Sequence, residues 1–259
     1  KERDSFLLEL IEKYKLKYNQ IRNYLNDLRR NKCTYSKPLF GPKETIIKLD
    51  YNLGKLLGFY AAEGCISEKG SIIFTFHEDE IEYIDSTTSL LQDIFDGKVF
   101  VERATNGTKS KIVRCNSKLL AEIFRYLVPG KAIEHTKRIN PLLLDAPKDF
   151  LLGFLDGVIK GDGYIKRGNS VVIGMTECPL LQQIQVMLSR LKIFSSLLHK
   201  NDKLGYQCQT LMLPVLSAAE LNKFIELKTI KIGTIKSQQN RTVHKCELGF
   251  IVEVKSLIA

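Results

Sequence analysis

The chain has no run of apolar residues long enough to cross a membrane. It lacks the basic head and apolar core of a secretory leader, opening instead on Lys1-Glu2-Arg3-Asp4. No two of its six cysteines (Cys33, Cys65, Cys115, Cys178, Cys208 and Cys246) form a Cys-x-x-Cys pair. That dispersion argues against a structural zinc site and fits small buried thiols in a reduced, intracellular setting. Negative charge is also in short supply. There are 29 Asp+Glu against 39 Lys+Arg, a formal net charge of +10. An excess of that size points to a polyanionic partner, nucleic acid before membrane surface. What remains is ordinary for a folded protein, with 44% hydrophobic and 26% charged residues.

The dominant feature is an internal repeat at an offset of 99 residues, which carries Glu63 onto Asp162. Leu53-Gly54-Lys55-Leu56-Leu57-Gly58-Phe59-Tyr60-Ala61-Ala62-Glu63-Gly64 aligns with Leu152-Gly153-Phe154-Leu155-Asp156-Gly157-Val158-Ile159-Lys160-Gly161-Asp162-Gly163. Downstream, Ser71-Ile72-Ile73-Phe74 falls on Ser170-Val171-Val172-Ile173, Glu78 on Glu177, and Lys137 on Lys236. Two copies of this length mean a duplicated unit with approximate two-fold symmetry, not a solenoid.

Periodicity reads the same way in both copies. A helix ends at the acid. Strands follow at 65–68 with 71–77, and at 164–167 with 170–176. Helical spacing covers 80–95 and 179–192. Further strands are expected at 98–104 with 110–115, and at 196–201 with 206–213. A closing helix is expected at 117–127 and 217–226. The fold class is therefore α+β: two pseudo-symmetric αββαββα units, with antiparallel sheets forming one saddle. Expected boundaries are 1–49 for an N-terminal helical extension and linker, 50–147 and 148–240 for the two repeats, and 241–259 for a tail.

Gly54, Gly58 and Ala62 recur every four residues and share one helix face, as do Gly153, Gly157 and Gly161. A helical glycine costs about 1 kcal/mol relative to alanine. Close approach of two backbones offsets that, because small residues let the helices nearly touch. If the two stripes pack together, Glu63 and Asp162 meet at two helix C-termini, where negative charge is disfavoured by about 0.3–1 kcal/mol each. Paired carboxylates at such a place make sense with divalent cations between them, and Mg²⁺, or Mn²⁺ in its place, suits oxygen ligands. Such an ion activates water and stabilises a leaving oxygen in phosphodiester cleavage. Either acid alone reads as a solvated residue before a helix-ending glycine. The shared register argues otherwise.

These motif copies, Leu56–Gly64 and Leu155–Gly163, resemble those of the LAGLIDADG homing endonucleases in their single-chain, two-motif form. The resemblance spans roughly residues 50–240. It implies a monomer whose two motif helices form the domain interface, whose terminal acids bind catalytic metal over the DNA minor groove, and whose sheets read a long double-stranded target in the major groove. Short 3′ overhangs would result. Metal ligands would be Glu63 and Asp162, with the backbone of Ala62 and Gly161. Lys137-Arg138-Ile139-Asn140-Pro141 resembles the Lys-x-Ile-Pro block of intein-type members, with Asn140 intervening, and Lys236 is its partner without the proline. A lysine there would polarise the attacked phosphate or help activate water. Asp156 and Lys160 depart from the motif, replacing apolar or small residues, and are expected to point outward. Splicing chemistry is not expected, since Lys1 and Ile258-Ala259 supply neither nucleophile nor cyclising asparagine.

Basic and polar strand residues are candidates for the DNA surface: Lys98, Arg103, Lys109, Lys111 and Arg114 in the first copy, and Lys166, Arg167, Lys200, Lys203, Gln207 and Gln209 in the second. Residues 1–49 resemble a helix-turn-helix or a plain helical hairpin. Two other functions suit the same scaffold: an intron-RNA splicing maturase, and a DNA-binding regulator without catalysis. The paired acids argue against the latter.

Overall fold

The protein is described from a computed structural model, which covers residues 47–95, 98–104, 108–166, 169–176, 178–201 and 207–227. Residues 1–46 of the expected N-terminal extension and the 241–259 tail lie outside the described residues, as do Arg167, Lys203 and Lys236.

The first half runs α1 (Tyr51–Glu63), β1 (Gly64–Ile66), β2 (Ile72–His77), α2 (Ile81–Phe95), β3 (Val99–Arg103), β4 (Ser110–Cys115) and α3 (Lys118–Leu127). A 3₁₀ turn at Pro141–Asp145 leads into the second half. That half runs α4 (Lys148–Asp162), β5 (Gly163–Lys166), β6 (Ser170–Thr176), α5 (Pro179–Arg190), β7 (Ser196–Asn201), β8 (Gln207–Leu213) and α6 (Val215–Leu221). The closing helix differs most from expectation: it begins two residues early, behind Pro214, and stops at Asn222, whose side chain takes the Leu227 N–H at 2.9 Å. Each half holds one antiparallel four-stranded sheet, ordered β1-β2-β4-β3 and β5-β6-β8-β7. The strand that follows each acid is thus a sheet edge, and Glu63 and Asp162 stand where the two edge strands begin.

Strand alternation sets the faces. Ile72, Phe74 and Phe76 pair with Cys115, Val113 and Lys111, and these three β2 residues are buried. Tyr60 completes this layer, its ring edge-on to Phe124 at 4.9 Å. Val171, Ile173, Leu211 and Leu213 do the same in the second half. Helices cover that side of each sheet, and α1 against α4 is the broadest contact in the molecule.

The α1–α4 seam departs from expectation at both Asp156 and Lys160, the latter's side chain being only 12% exposed. Asp156 does not point outward: it is 1% exposed. It lies 2.9 Å from Lys160, one turn on, and 3.4 Å from Lys55 of α1, and Tyr51 bonds the same carboxylate. Two cations and a phenol compensate for its burial, so an acid is tolerated where the repeat partner is fully buried Leu57. Asp156→Ala, which strands both lysines, is expected to cost about 3 kcal/mol, read as a lower urea midpoint. Asp156→Leu with Lys160→Ala copies Leu57 and Ala61 and should recover most of it. If the double variant is no more stable than Asp156→Ala, the ion cluster is not the cause.

Candidate metal centre and nucleic-acid interface

The glycine stripes bring backbone against backbone. A Cβ on Gly54 would stand 2.2 Å from the Phe150 carbonyl oxygen, and one on Gly58 would stand 2.2 Å from that of Phe154. From the other side, a Cβ on Gly153 would stand 2.0 Å from the Tyr51 oxygen, and one on Gly157 would stand 2.3 Å from the Lys55 oxygen. Contacts advance in step along both helices, so α1 and α4 run in the same direction and end together. Gly161 there faces Ala62, and Glu63 Oε1 is 3.8 Å from the place a Gly161 Cβ would occupy. Gly64 and Gly163 then turn directly into strands with extended backbone, not the left-handed cap that glycine often supplies.

The two acids share a partly desolvated corner. Burial pushes the Glu63 carboxyl up to about 7, helped by Asp162 and then Glu80, against the opposing pull of Lys137. Burial also raises Asp162, again opposed by Lys137. Lys137 is itself 5% exposed, not a surface lysine. Its Nζ donates to the carbonyls of Tyr60 and Gly64, both at 2.8 Å, and lies 5.0 Å from the centre of the Tyr60 ring. The ammonium therefore ties off the last turn of α1 on either side of Glu63. Burial lowers it to about 8, partly offset by Asp162, Cys65, Glu63 and Cys178. Its segment is clamped. Gln183 of α5 bonds both backbone groups of Ile139, at 2.6 and 2.8 Å, and Arg138 N–H bonds Pro129 O at 2.9 Å.

Sequence reasoning missed Glu80, Cys65 and Cys178. Cys65 is two residues from Glu63, but nothing in the spacing ties Glu80 or Cys178 to the acids, since folding alone returns the β2–α2 and β6–α5 loops to this corner.

The sign of the pH effect follows. Between about 4.5 and 7, native Glu63 keeps a proton that the unfolded chain has lost, so stability falls as pH rises. Between about 8 and 10.5, native Lys137 has lost a proton that the unfolded chain keeps, so stability rises again. Metal-free protein should therefore show a stability trough near pH 7–8. After allowing for the water that still reaches Glu63, its limb should be about 1–2 kcal/mol deep. Glu63→Gln should flatten the acidic limb of urea midpoints measured from pH 5 to 10 in chelator. An unchanged limb would contradict the burial of Glu63.

The candidate DNA residues do not share one face. Arg114 lies on the side away from the core, paired with Ile73 and Phe100 and 3.4 Å from Glu102. Lys98 is exposed beside it, 5.1 Å from the Phe100 ring centre. Lys111 and Arg103 pair with each other on the Phe76 side, where Arg103 is ion-paired with Glu78 at 2.9 Å. Lys109 is exposed just before β4, and Lys166 is exposed at the end of β5. Lys200 pairs with Cys208, and Gln207 with Asn201. Gln209 corrects the expectation: it pairs with Met175 and His199 on the core side and is 1% exposed, because it shares the parity of Leu211 and Leu213.

Two αββαββα halves fused in one chain, joined by a helix pair that ends in two acids, define the LAGLIDADG fold in its single-chain, two-motif form. Residues 149–228 match the model of the LAGLIDADG-like domain. A mesophilic variant of the homing endonuclease I-DmoI superposes with a TM-score of 0.52 at 15% identity, covering 68% of this chain and 96% of that one. I-DmoI in complex with DNA and Ca gives 0.52 at 14% identity, covering 68% and 90%. Among curated proteins, an uncharacterized protein of Methanocaldococcus jannaschii, MJ1054, is 29% identical over 134 residues, 48% of this chain and 14% of its own. The SufBD-family iron-sulfur cluster assembly protein Rv1461 of Mycobacterium tuberculosis is 27% identical over 173 residues, 61% and 19%. The ATP-dependent DNA helicase Hel308 of Thermococcus kodakarensis is 28% identical over 157 residues, 58% and 14%. The chain spans less than a fifth of the length of these three curated relatives. Among the described residues, no helix is long and apolar enough to cross a membrane.

Proposed function

We propose that this chain is a site-specific, divalent-metal-dependent DNA endonuclease that cuts both strands of a long duplex target. The observation that carries the reading is the meeting of Glu63 and Asp162 at the ends of two helices packed backbone to backbone, where each carboxyl is held above its ordinary range. Two desolvated carboxylates side by side are unfavourable without a cation. Their donor set is oxygen only, and no cluster of three or more His, Cys, Asp or Glu forms a complete cage among the described residues. An incomplete oxygen site suits Mg²⁺ or Mn²⁺, which keeps waters and takes substrate phosphates as further ligands. I-DmoI complexes with DNA contain Ca or Mn, which supports the same class of ion here.

Glu63 and Asp162 would hold the metal, with the backbone carbonyls of Ala62 and Gly161 beside them. Bound there, the ion supplies a lowered water pKa and charge stabilisation at the phosphate. Lys137 keeps the Tyr60–Gly64 turn in place and sets a positive charge beside both acids. Lys236 is proposed for the matching role in the second half on the repeat register alone. Lys98, Arg114, Lys109 and Lys166 are proposed as DNA contacts, with phosphate attraction from the net charge of +10.

The curated relatives support an intein-type setting. Matches of 134 to 173 residues fall within much longer proteins whose names share no task. A segment common to such hosts does not carry the hosts' activities, and it fits a mobile insert bearing its own nuclease.

The test is incubation of the chain with a randomised duplex library and Mg²⁺, followed by sequencing of new ends. The expected result is double-strand ends at one extended motif, abolished by chelator. Binding without any metal-dependent ends would sink the reading and leave a DNA-binding protein on this fold.

A further inference from the structure

The two sheets present different chemistry on the sides their helices leave uncovered. In the first half that side carries Arg114, Glu102 and His77, three ionisable groups set among Ile73, Phe100 and Ile112, with Lys98 beside them. In the second half the paired row Tyr164, Val172, Met212 is followed by the row Gly174, Thr210, Leu198, with Lys166 and Lys200 at the margins by strand register. No acid occurs on this side among the described residues. Tyr164 is 57% exposed and Leu198 40%, while Val172 between the strands is buried at 2%.

Gly174 stands in the middle of this surface and has no structural reason to be glycine. A Cβ there would meet nothing within 4 Å, whereas the glycines of the helix seam would collide with backbone. Its φ is not positive. A bare position inside a strand weakens the strand, and often marks a place where a ligand comes close. Its repeat partner is Thr75, which keeps its side chain.

We propose that the second sheet reads thymine through its 5-methyl group, with the notch at Gly174 admitting the base edge between Leu198, Thr210 and Tyr164. The methyl is the apolar feature that a base pair presents in the major groove, and a β-ribbon fits that groove. Duplex DNA is the occupant because the surface starts at the metal corner: Tyr164 is two residues past Asp162 on the edge strand. The net charge of +10 supplies the general attraction that this apolar patch lacks. The two half-sites then differ in kind, with a thymine-dependent half under β5–β8 and a half read by ionic and polar groups under β1–β4. This rests on the endonuclease reading only for the position of the DNA.

The test reads binding alone. A duplex is selected from a random library by the full chain carrying Glu63→Gln and Asp162→Asn. Each thymine is then replaced singly by deoxyuridine, which removes only the methyl. Several substitutions confined to one half-site are expected to weaken binding by roughly three- to tenfold each. Gly174→Thr, placed in the same protein, should abolish that sensitivity and lower affinity for the selected duplex, with a melting temperature equal or higher. Neutral deoxyuridine at every position would overturn the proposal, as would sensitivity that Gly174→Thr leaves intact. Self-association of the chain that Gly174→Thr abolishes, without any methyl effect, would overturn it in favour of a second copy on this face. Methyl dependence in a chain that never cuts would sink the endonuclease reading and leave this one standing. Cutting without methyl dependence would do the reverse.

Discussion

Glu63→Gln and Asp162→Asn, made singly, are each expected to lower double-strand cleavage by on the order of 10³-fold or more, while duplex binding measured in Ca²⁺ changes by less than about threefold. Each substitution keeps the side-chain size and removes one anionic oxygen from the proposed metal site. Both sites lie where α1 and α4 already touch, and each amide is easier to bury than the carboxylate it replaces, so folding should not suffer. The burial that raises Glu63 to about 7 makes the point sharper. Under the proposed function, a cation between the two acids offsets that cost. If both acids hold one metal, the two substitutions should also be strongly non-additive, because that metal is lost once either is gone. A single variant that still cuts within tenfold of wild type would break the assignment of that acid.

Gly58→Ala is expected to destabilise the protein by about 3 kcal/mol, or roughly 6–12 °C in melting temperature for a protein of this size. One methyl group is enough because it would stand 2.2 Å from the Phe154 carbonyl oxygen and 3.0 Å from the Gly157 Cα. Both are backbone atoms of a helix buried on all sides, and neither can step aside as a side-chain tip would. The helices must part, and the acids at their ends part with them, so cleavage should fall in whatever fraction still folds. Gly174→Ala is the matched control, since its added methyl has open space around it. It should leave the melting temperature unchanged or raised. A Gly58→Ala protein melting within about 2 °C of wild type would mean that the seam is looser than its geometry.

Much of the architecture was legible because two independent copies carry the same signals. Glycine every fourth residue marks the α1–α4 seam, and the strand pairs after each acid show their period of two. What escaped was set by single side chains. Asp156 looked like an outward residue by type, yet helical geometry aims it at Lys55, a residue of the other motif that no local pattern joins to it. Lys137 stands out in the sequence by its motif and repeat register, but its bonds over the end of α1 follow only from the fold. The basic strand residues were chosen by composition, and a shift of one position changes the face. Gln209 therefore sits with Leu211 in the interior, and Lys111 shares the side of Phe76. The closing helix of the second half was drawn too long because nothing in its apolar spacing registers the cap that Asn222 provides.

The shared metal is most directly tested by electron paramagnetic resonance of Mn²⁺ titrated into the protein bound to its selected duplex. Wild type should quench free-ion signal at tight sites, and the Glu63→Gln/Asp162→Asn protein, folded and still bound to the duplex, should show none of that binding. Equal Mn²⁺ uptake by the two complexes would place the metal elsewhere and leave the paired acids without the role given to them.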